Sequence, residues 1–344
     1  MEIIKKASLS RYSTMGLGGP ADYLTIVTDR NTLLKALQWA EKNQLAVMMI
    51  GGGSNIIWSD QGYRGLVIVN DIHRYEIFKE DEENTYITVG SGEDWDTVVE
   101  RTANAGLSGI EALSLIPGTS GATLVQNIGA YGQEIAQTLT AAEVYDSQTK
   151  QFMMLTNSEC AFGYRTSRFK TTDKGRFYIT ALTLHLRKTS MEPPFYEALS
   201  KYLDSNNITD YSPASIRKAV MAIRNSKLPN PKEVKNCGSF FTNPIVDKEY
   251  FIRLQQAYPN IPYWLIDSNK VKISAAWLIE NAGFKDYHDP ETGMSTWSKQ
   301  PLVLVNESAK STNDLLRFKR KIEDTVSQKF GVKLEQEPEL VILQ

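Results

Sequence analysis

The chain has 344 residues, 42% hydrophobic and 23% charged, with a formal net charge of -2. This is the composition of a soluble globular protein of roughly two or three domains, and its near-neutral balance supplies no general field for nucleic acid or an anionic membrane surface. Two widely separated cysteines, Cys160 and Cys237, and three histidines argue against a metal centre and against a disulfide framework, leaving open one long-range disulfide.

The first eight residues, Met1 to Ser8, hold no apolar run of signal-peptide length, and no uncharged stretch is long enough to span a bilayer, so a cytoplasmic enzyme is expected. Leu24 to Thr28 reads as a strand. Leu33, Leu34, Leu37 and Ala40 then fall at helical spacing over Asn31 to Asn43, with Asn31 as the expected cap. Val47 to Ile50 is a short buried-strand pattern that runs into Gly51-Gly52-Gly53-Ser54-Asn55, completing a strand–helix–strand unit that ends at a ligand-ready turn. The dinucleotide fingerprint G-x-G-x-x-G requires a helix directly after the glycines. Here Ile56 to Trp58 and Leu66 to Val69 follow instead. The glycine amides can form an anion-binding nest without a helix dipole, or simply a tight turn.

Tyr86 to Val89 reads as a strand, and Trp95, Val98, Val99 and Thr102 mark a short helix. The stretch Pro117 to Gly132 follows, with Gly118, Gly121, Gly129 and Gly132 set among Leu124, Val125 and Ile128. Glycine permits positive φ and close approach of a ligand, and the apolar neighbours indicate a packed segment. A packed turn in a β-rich core and a ligand-contacting loop both satisfy that pattern. Ala141 to Tyr145 and the alternating run Phe177 to Leu186 read as strands, with Arg165 in the turn Gly163 to Ser167 between them.

Ser212-Pro213 is a helix start, with Ile216, Ala219, Val220 and Ile223 as the apolar stripe. Two prolines in Lys227 to Pro231 suggest a domain boundary. Beyond it, Asn236 to Pro244 contains Gly238 and Ser239 followed by Phe240 and Phe241, a backbone pinned beside a pocket. Ser274 caps a short helix to Asn281, closed by Gly283; Leu302 to Val305 is a strand; and Asn313 to Phe330 is an amphipathic helix stopped by Gly331. A last strand is expected to carry Glu335, Glu337 and Glu339 on one face by period-two alternation, with Pro338 marking an edge or end.

Taken in order, Gly51-Gly-Gly-Ser-Asn55, Ile116-Pro-Gly118 with Gln126-Asn-Ile-Gly-Ala-Tyr-Gly132, Phe162-Gly-Tyr-Arg165, Gly238-Ser-Phe-Phe-x-Asn-Pro244, Ala276-Trp-Leu-Ile279 and Glu337-Pro-Glu339 resemble the UDP-N-acetylenolpyruvoylglucosamine reductases, the MurB family of flavoenzymes. The resemblance covers nearly the whole chain. It implies an α+β fold: a two-part FAD-binding module of the vanillyl-alcohol-oxidase (PCMH) type and a C-terminal α+β substrate-binding domain. The divisions it implies are 1–70 and 71–226 for FAD, with a C-terminal strand at 332–344 packing back near the active site, and 227–331 for substrate. Pro193-Pro-Phe-Tyr196 looks like the substrate-covering tyrosine loop of the family's long form.

The implied reaction belongs to peptidoglycan precursor synthesis. NADPH passes hydride to FAD, and reduced flavin delivers it to C3 of UDP-N-acetylglucosamine enolpyruvate. A proton from Ser239 to C2 of an enolate-like intermediate, stabilised by Arg165 and Glu339, gives UDP-N-acetylmuramate. These residue types suit that chemistry: charge building toward a carboxylate needs preorganised donors such as a guanidinium, and a serine hydroxyl protonates a strongly basic carbon only where water is excluded. By the same resemblance the FAD contacts are Gly51, Gly52, Gly53, Ser54, Asn55, Pro117, Gly118, Gly121, Ala122, Asn127, Gly129, Tyr131 and Gly132, and the substrate contacts are Tyr196, Lys227, Asn243 and Gln300. No metal, nucleic acid or membrane insertion is implied, and the expected state is a monomer. The chain departs from the family pattern at Ser13-Thr14-Met15 and Ala122-Thr123-Leu124, both beside the flavin in this reading. Another FAD oxidase on the same fold, and a flavin- or nucleotide-sugar-binding protein without catalysis, are the alternatives; the family's Gly238-Ser-Phe-Phe241 and Glu337-Pro-Glu339 elements in the third domain argue against the oxidase, and the joint presence of Arg165, Ser239 and Glu339 argues against the binder.

Overall fold

The computed structural model describes residues 1–342, which divide into two compact units. The first comprises Met1–Ala7, Ala21–Gly53 and Arg64–Ser226, and the second Ser8–Pro20, Ser54–Tyr63 and the chain from Lys227 onward.

The first unit contains two sheets. One has four strands in the order Ile4–Ser8, Pro20–Val27, Tyr63–Asn70, Val47–Ile50. Val47–Ile50 runs parallel to Tyr63–Asn70, in register from Val47 opposite Leu66 to Ile50 opposite Val69. The two strands flanking the first helix are therefore separated in the sheet by a third. That helix, Arg30–Lys42, buries Leu33, Ala36 and Ala40 in a cluster with Val27, Leu66 and Ile68. Its cap is Asp29 rather than Asn31. The Asp29 carboxylate accepts from Thr32 N at 2.8 Å and the Thr32 hydroxyl accepts from Asp29 N at 3.1 Å, a reciprocal box that places Asn31 already inside the helix.

The other sheet is antiparallel, in the order Gln151–Thr156, Leu139–Asp146, Phe177–Arg187, Asn84–Gly90, Tyr75–Glu80. Phe177–Arg187 lies at its centre and is buried almost continuously, although its sequence alternates. Leu182, Leu184 and Leu186 pack with Val98 and Val99 of helix Trp95–Asn104, while Tyr178 packs with Leu33 and Leu66. A strand covered on both faces gains burial at every position. Helices Glu197–Ser205 and Pro213–Lys227 form a smaller cluster in which the expected stripe Ile216, Ala219, Val220 and Ile223 is buried against Leu199, Leu203 and Ala112.

The second unit has a four-stranded sheet, Asn236–Ser239, Gln300–Asn306, Met294–Trp297, His288–Asp289, and a three-stranded sheet, Ile245–Asp247, Lys270–Ile273, Tyr263–Leu265. Helix Thr312–Phe330 buries Leu315, Phe318, Ile322, Val326 and Phe330 with Phe240, Phe241 and Leu278. Each such side chain contributes about 1.5–3 kcal/mol on burial. Ser311 and Asp314 form a capping box, Asp60 accepts further from Thr312 N and Asn313 N, and Gly331 at φ +66 ends the helix.

The tail differs from the expectation. Only Glu339–Val341 is a strand, parallel to Ile56–Trp58, with Glu339 opposite Ile56. Pro338, without an N–H, interrupts any longer ladder, and Gln336 makes an isolated bridge to Phe241. The three glutamates therefore do not share a strand face: Glu335 is exposed, while Glu337 and Glu339 are half-buried. The described part of the segment expected at 332–344 falls in the second unit; residues 343 and 344 lie outside the described residues. Both cysteines are free and buried. Among the described residues no helix is long and apolar enough to cross a membrane.

Candidate functional site

In the first unit, two glycine segments meet backbone to backbone. A Cβ on Gly52 would lie 3.2 Å from Gly118 Cα, and one on Gly51 would lie 2.2 Å from Thr119 Oγ1. Gly53 and Gly118 take φ +69 and +127, conformations that glycine alone adopts readily. Gly118 O accepts from Trp95 N, and Gly121 N donates to Ser91 O. Gly121 is buried, with a Cβ position 2.6 Å from Ser91 Cβ. These approaches bring the two glycine segments together with no side chain between Gly52 and Gly118.

The rest of the Pro117–Gly132 stretch is neither a simple turn nor an open loop. Ser120–Val125 is a short helix, and Gly129–Ala130 pairs with Gln133–Glu134 across a two-residue turn whose central residues, Tyr131 and Gly132, have φ +48 and +89. Two positive φ values in succession match the twist of a tight hairpin. Asn127 fixes this hairpin: its Nδ2 donates to Glu134 Oε2 at 2.9 Å and to Gly163 O at 3.1 Å, while its Oδ1 accepts from Ala136 N at 3.2 Å. Its side chain thus holds the segment together through protein partners.

The link to Gly163 brings Arg165 in. Arg165 has φ +54, and its Nη2 donates to Gly129 O at 2.7 Å. A methyl group on Gly129 would lie 3.0 Å from Arg165 Nη1 and 2.8 Å from Glu134 Cγ. Tyr131 meets Tyr196 edge-on, with ring centroids 5.9 Å apart. Burial pushes both phenols up from their ordinary values. The first unit therefore gathers Gly51, Gly52, Gly53, Pro117, Gly118, Gly121, Ala122, Asn127, Gly129, Tyr131, Gly132, Arg165 and Tyr196.

The second unit holds Ser54, Asn55, Lys227, Ser239, Asn243, Gln300 and Glu339. Ser239 ends the strand Asn236–Ser239, opposite Val303, between Gly238 at φ +74 and the fully buried Phe240. The tail is stitched onto this strand end: Glu337 N donates to Phe240 O, Thr242 N donates to Glu335 O, and Glu339 N donates to Asn55 O at 3.0 Å. Asn243 Oδ1 accepts from Ala275 N at 3.0 Å, and Lys227 is exposed at the start of the unit's longest run. Ser13 donates to Ile56 O at 2.8 Å, so Ser13-Thr14-Met15 packs beside the strand that pairs with Glu339–Val341.

Several polar atoms are buried without hydrogen-bond partners: Thr14 Oγ1, Trp297 Nε1 and Gln300 Oε1 in the second unit, and Arg224 Nε in the first. Buried unpaired groups point to partners supplied from outside the protein. Of these, sequence reasoning singled out only Gln300 for its side chain. Trp297 is the register partner of Gln300. The signal for Arg224 was present: with Arg217 it forms a pair seven residues apart on the apolar face of Pro213–Lys227. The thiols offer no reactive group. Burial pushes the Cys160 thiol up to about 11 and raises Cys237 further.

Residues 230–341 match the family described as UDP-N-acetylenolpyruvoylglucosamine reductase, C-terminal domain, and residues 21–152 match FAD binding domain. The chain is 36% identical to the UDP-N-acetylenolpyruvoylglucosamine reductase of Thermobifida fusca, covering 98% of this chain and 97% of that one. It is 39% identical to that of Alcanivorax borkumensis, covering 98% and 96%. The crystal structure of UDP-N-acetylenolpyruvylglucosamine reductase (MurB) from Thermus caldophilus superposes with a TM-score of 0.68 at 24% identity, over 99% of this chain and 98% of that one, a likeness of fold.

Proposed function

Because the chain belongs to the UDP-N-acetylenolpyruvoylglucosamine reductase family, we propose that it reduces UDP-N-acetylglucosamine enolpyruvate to UDP-N-acetylmuramate, with FAD as cofactor and NADPH as hydride donor. It is a flavin-dependent oxidoreductase. The residues fit the cofactor: Gly52 and Gly118 meet with no side chain between them, a bare backbone surface that a dinucleotide can approach closely, and Gly51, Gly52, Gly53, Ser54, Asn55, Pro117, Gly118, Gly121, Ala122, Asn127, Gly129, Tyr131 and Gly132 would form the cradle that holds it. When bound, FAD supplies the two-electron relay from NADPH to the enolpyruvyl double bond.

The protein's own groups manage charge and protons. Arg165, tethered to Gly129, offers a guanidinium to the substrate carboxylate as charge builds there. Ser239 donates the proton to C2, with Phe240 and Phe241, both fully buried, limiting water at its strand end. Glu339 assists the same developing charge. Tyr196, Lys227, Asn243 and Gln300 bind the nucleotide-sugar diphosphate, and Pro193–Tyr196 acts as the substrate-covering loop. The observation that carries the reading is the backbone stitching of the Glu337–Glu339 tail onto the strand end at Ser239–Phe240, since an oxidase has no use for a proton donor and a carboxyl group fixed on one frame. We place the enzyme in the cytoplasm as a monomer.

The test is anaerobic stopped-flow absorbance. NADPH should bleach the flavin, and UDP-N-acetylglucosamine enolpyruvate should restore it without oxygen; restoration by oxygen alone would replace the reading with an oxidase. A second expectation concerns the cradle. Gly121→Val places branched bulk against Ser91, where a Cβ already comes within 2.6 Å, so the variant should purify with little visible flavin absorbance and a weakened affinity for added FAD. Full flavin occupancy in that variant would remove Gly121 from the cradle.

A further inference from the structure

Helix Pro213–Lys227 carries Arg217 and Arg224 seven residues apart, and the two arginines do different things. Arg217 Nη1 and Nη2 donate to the two oxygens of Asp96 at 2.6 and 3.0 Å. The same Asp96 accepts Leu115 N at 2.6 Å. Leu115 holds φ +56, and its carbonyl accepts from Arg224 Nη2 at 3.2 Å. The peptide groups on either side of Leu115 Cα are thus gripped, by Asp96 at the N–H and by Arg224 at the carbonyl. Three residues on, Gly118 closes against Gly52. Arg224 itself is left with Nε buried and unpartnered. Burial draws its guanidinium below the ordinary value, with Tyr131 and Asp96 acting in the opposite sense.

A fixed cation with an orphan N–H, tied to the segment that forms the cradle, calls for an acceptor that becomes more negative during turnover. Reduction makes the flavin ring electron-rich, with the added charge concentrated near its pyrimidine carbonyl. We propose that Arg224 is a cofactor-contacting residue whose Nε–H donates to that carbonyl and whose charge favours the reduced flavin over the oxidised. The proposal rests on the flavin reading above and goes beyond it in naming the group that sets the potential. Asp96 and Arg217 are positioning residues that hold Leu115, and through it Arg224, in place.

The experiment uses the full chain loaded with FAD. The midpoint potential is measured by dye-coupled titration, and the affinity for oxidised FAD by fluorescence on the apoprotein. The two readouts close a cycle: a tenfold loss of preference for reduced over oxidised flavin is about 30 mV for a two-electron couple. Arg224→Gln should lower the potential by at least that tenfold equivalent, and Arg224→Lys, which keeps the charge, by less than threefold. In the unsubstituted protein the potential should lie above that of free FAD, a measurement that needs no variant; a value below it overturns the proposal. An unchanged potential in flavin-loaded Arg224→Gln overturns it too. Equal weakening of both redox forms does the same, by moving Arg224 to the diphosphate. Failure of the unsubstituted chain to bind FAD would instead sink the flavin reading itself.

Discussion

Ser239→Ala should slow reoxidation of the reduced flavin by UDP-N-acetylglucosamine enolpyruvate by about 10²–10⁴-fold, the usual contribution of a positioned general acid, and leave reduction by NADPH unchanged. The asymmetry follows from the chemistry. Hydride transfer from NADPH to the flavin asks nothing of a serine proton, whereas the enolate-like product of hydride addition at C3 cannot collapse to a saturated centre until C2 is protonated. In the proposed reaction Ser239 serves that single step. It sits at a strand end whose register is fixed opposite Val303, after a glycine at φ +74 and before two fully buried phenylalanines. Removal of one hydroxyl at a half-buried position should leave the strand pairing intact, so flavin content and melting temperature should match the parent. Single-turnover traces of the two half-reactions give the answer. Equal slowing of both, or an unaffected second half, would show that Ser239 is not the donor.

The parts of this architecture that were legible in the sequence are those written in local pattern. The stripe of helix Thr312–Phe330, the helix at Trp95, the strand at Val47 and the run at Phe177 each declare themselves within a dozen residues, because burial of one face imposes a period. The glycines at 51–53 and 118–132 declared a packed segment for a similar reason: positive φ and backbone contact exclude other residues. What stayed hidden depends on partners distant in the chain. Nothing near Ile56 announces that Ile56–Trp58 pairs with Glu339–Val341, so a tail expected as one long strand proved to be three residues of strand after a proline. The cap at Asp29 was missed by two positions because Asn31 is an equally good capping residue type two places on, and only the reciprocal bond with Thr32 singles out Asp29. The three protein groups that the Asn127 amide joins, on Glu134, Ala136 and Gly163, are likewise not announced by its motif. The grip on Leu115 brings together residues 96, 115, 217 and 224, and no local period marks it.

That grip has a second consequence, for stability. Arg217 is 7% exposed and Asp96 26%, and they meet through two parallel hydrogen bonds between helices Trp95–Asn104 and Pro213–Lys227. Arg217→Leu should destabilise the protein by about 3–5 kcal/mol, the cost of leaving one member of a buried pair without its partner, read as a lower urea midpoint for the first unit. The Asp96→Leu, Arg217→Leu double variant should recover part of the loss, since no charge is then stranded, but should lower the FAD affinity below that of the single variant, because only in the double variant does Leu115 N lose its acceptor. The pH dependence has a definite sign. Burial works to raise the Asp96 carboxyl, but the hydrogen bonds from Arg217 and Leu115 and the charges of Arg217 and Arg224 outweigh it and hold the group below its usual range. A depressed carboxylate contributes stability that is fully present above its unfolded value of about 3.9 and is lost as pH falls through the lower folded value. The gap in stability between the parent and the Asp96→Leu, Arg217→Leu variant should therefore be constant from neutrality down to about pH 5 and close progressively below about pH 4. A gap that closes near neutrality would mean that some other group carries the pH dependence, and one that persists in strong acid would mean that the pair matters through packing rather than charge.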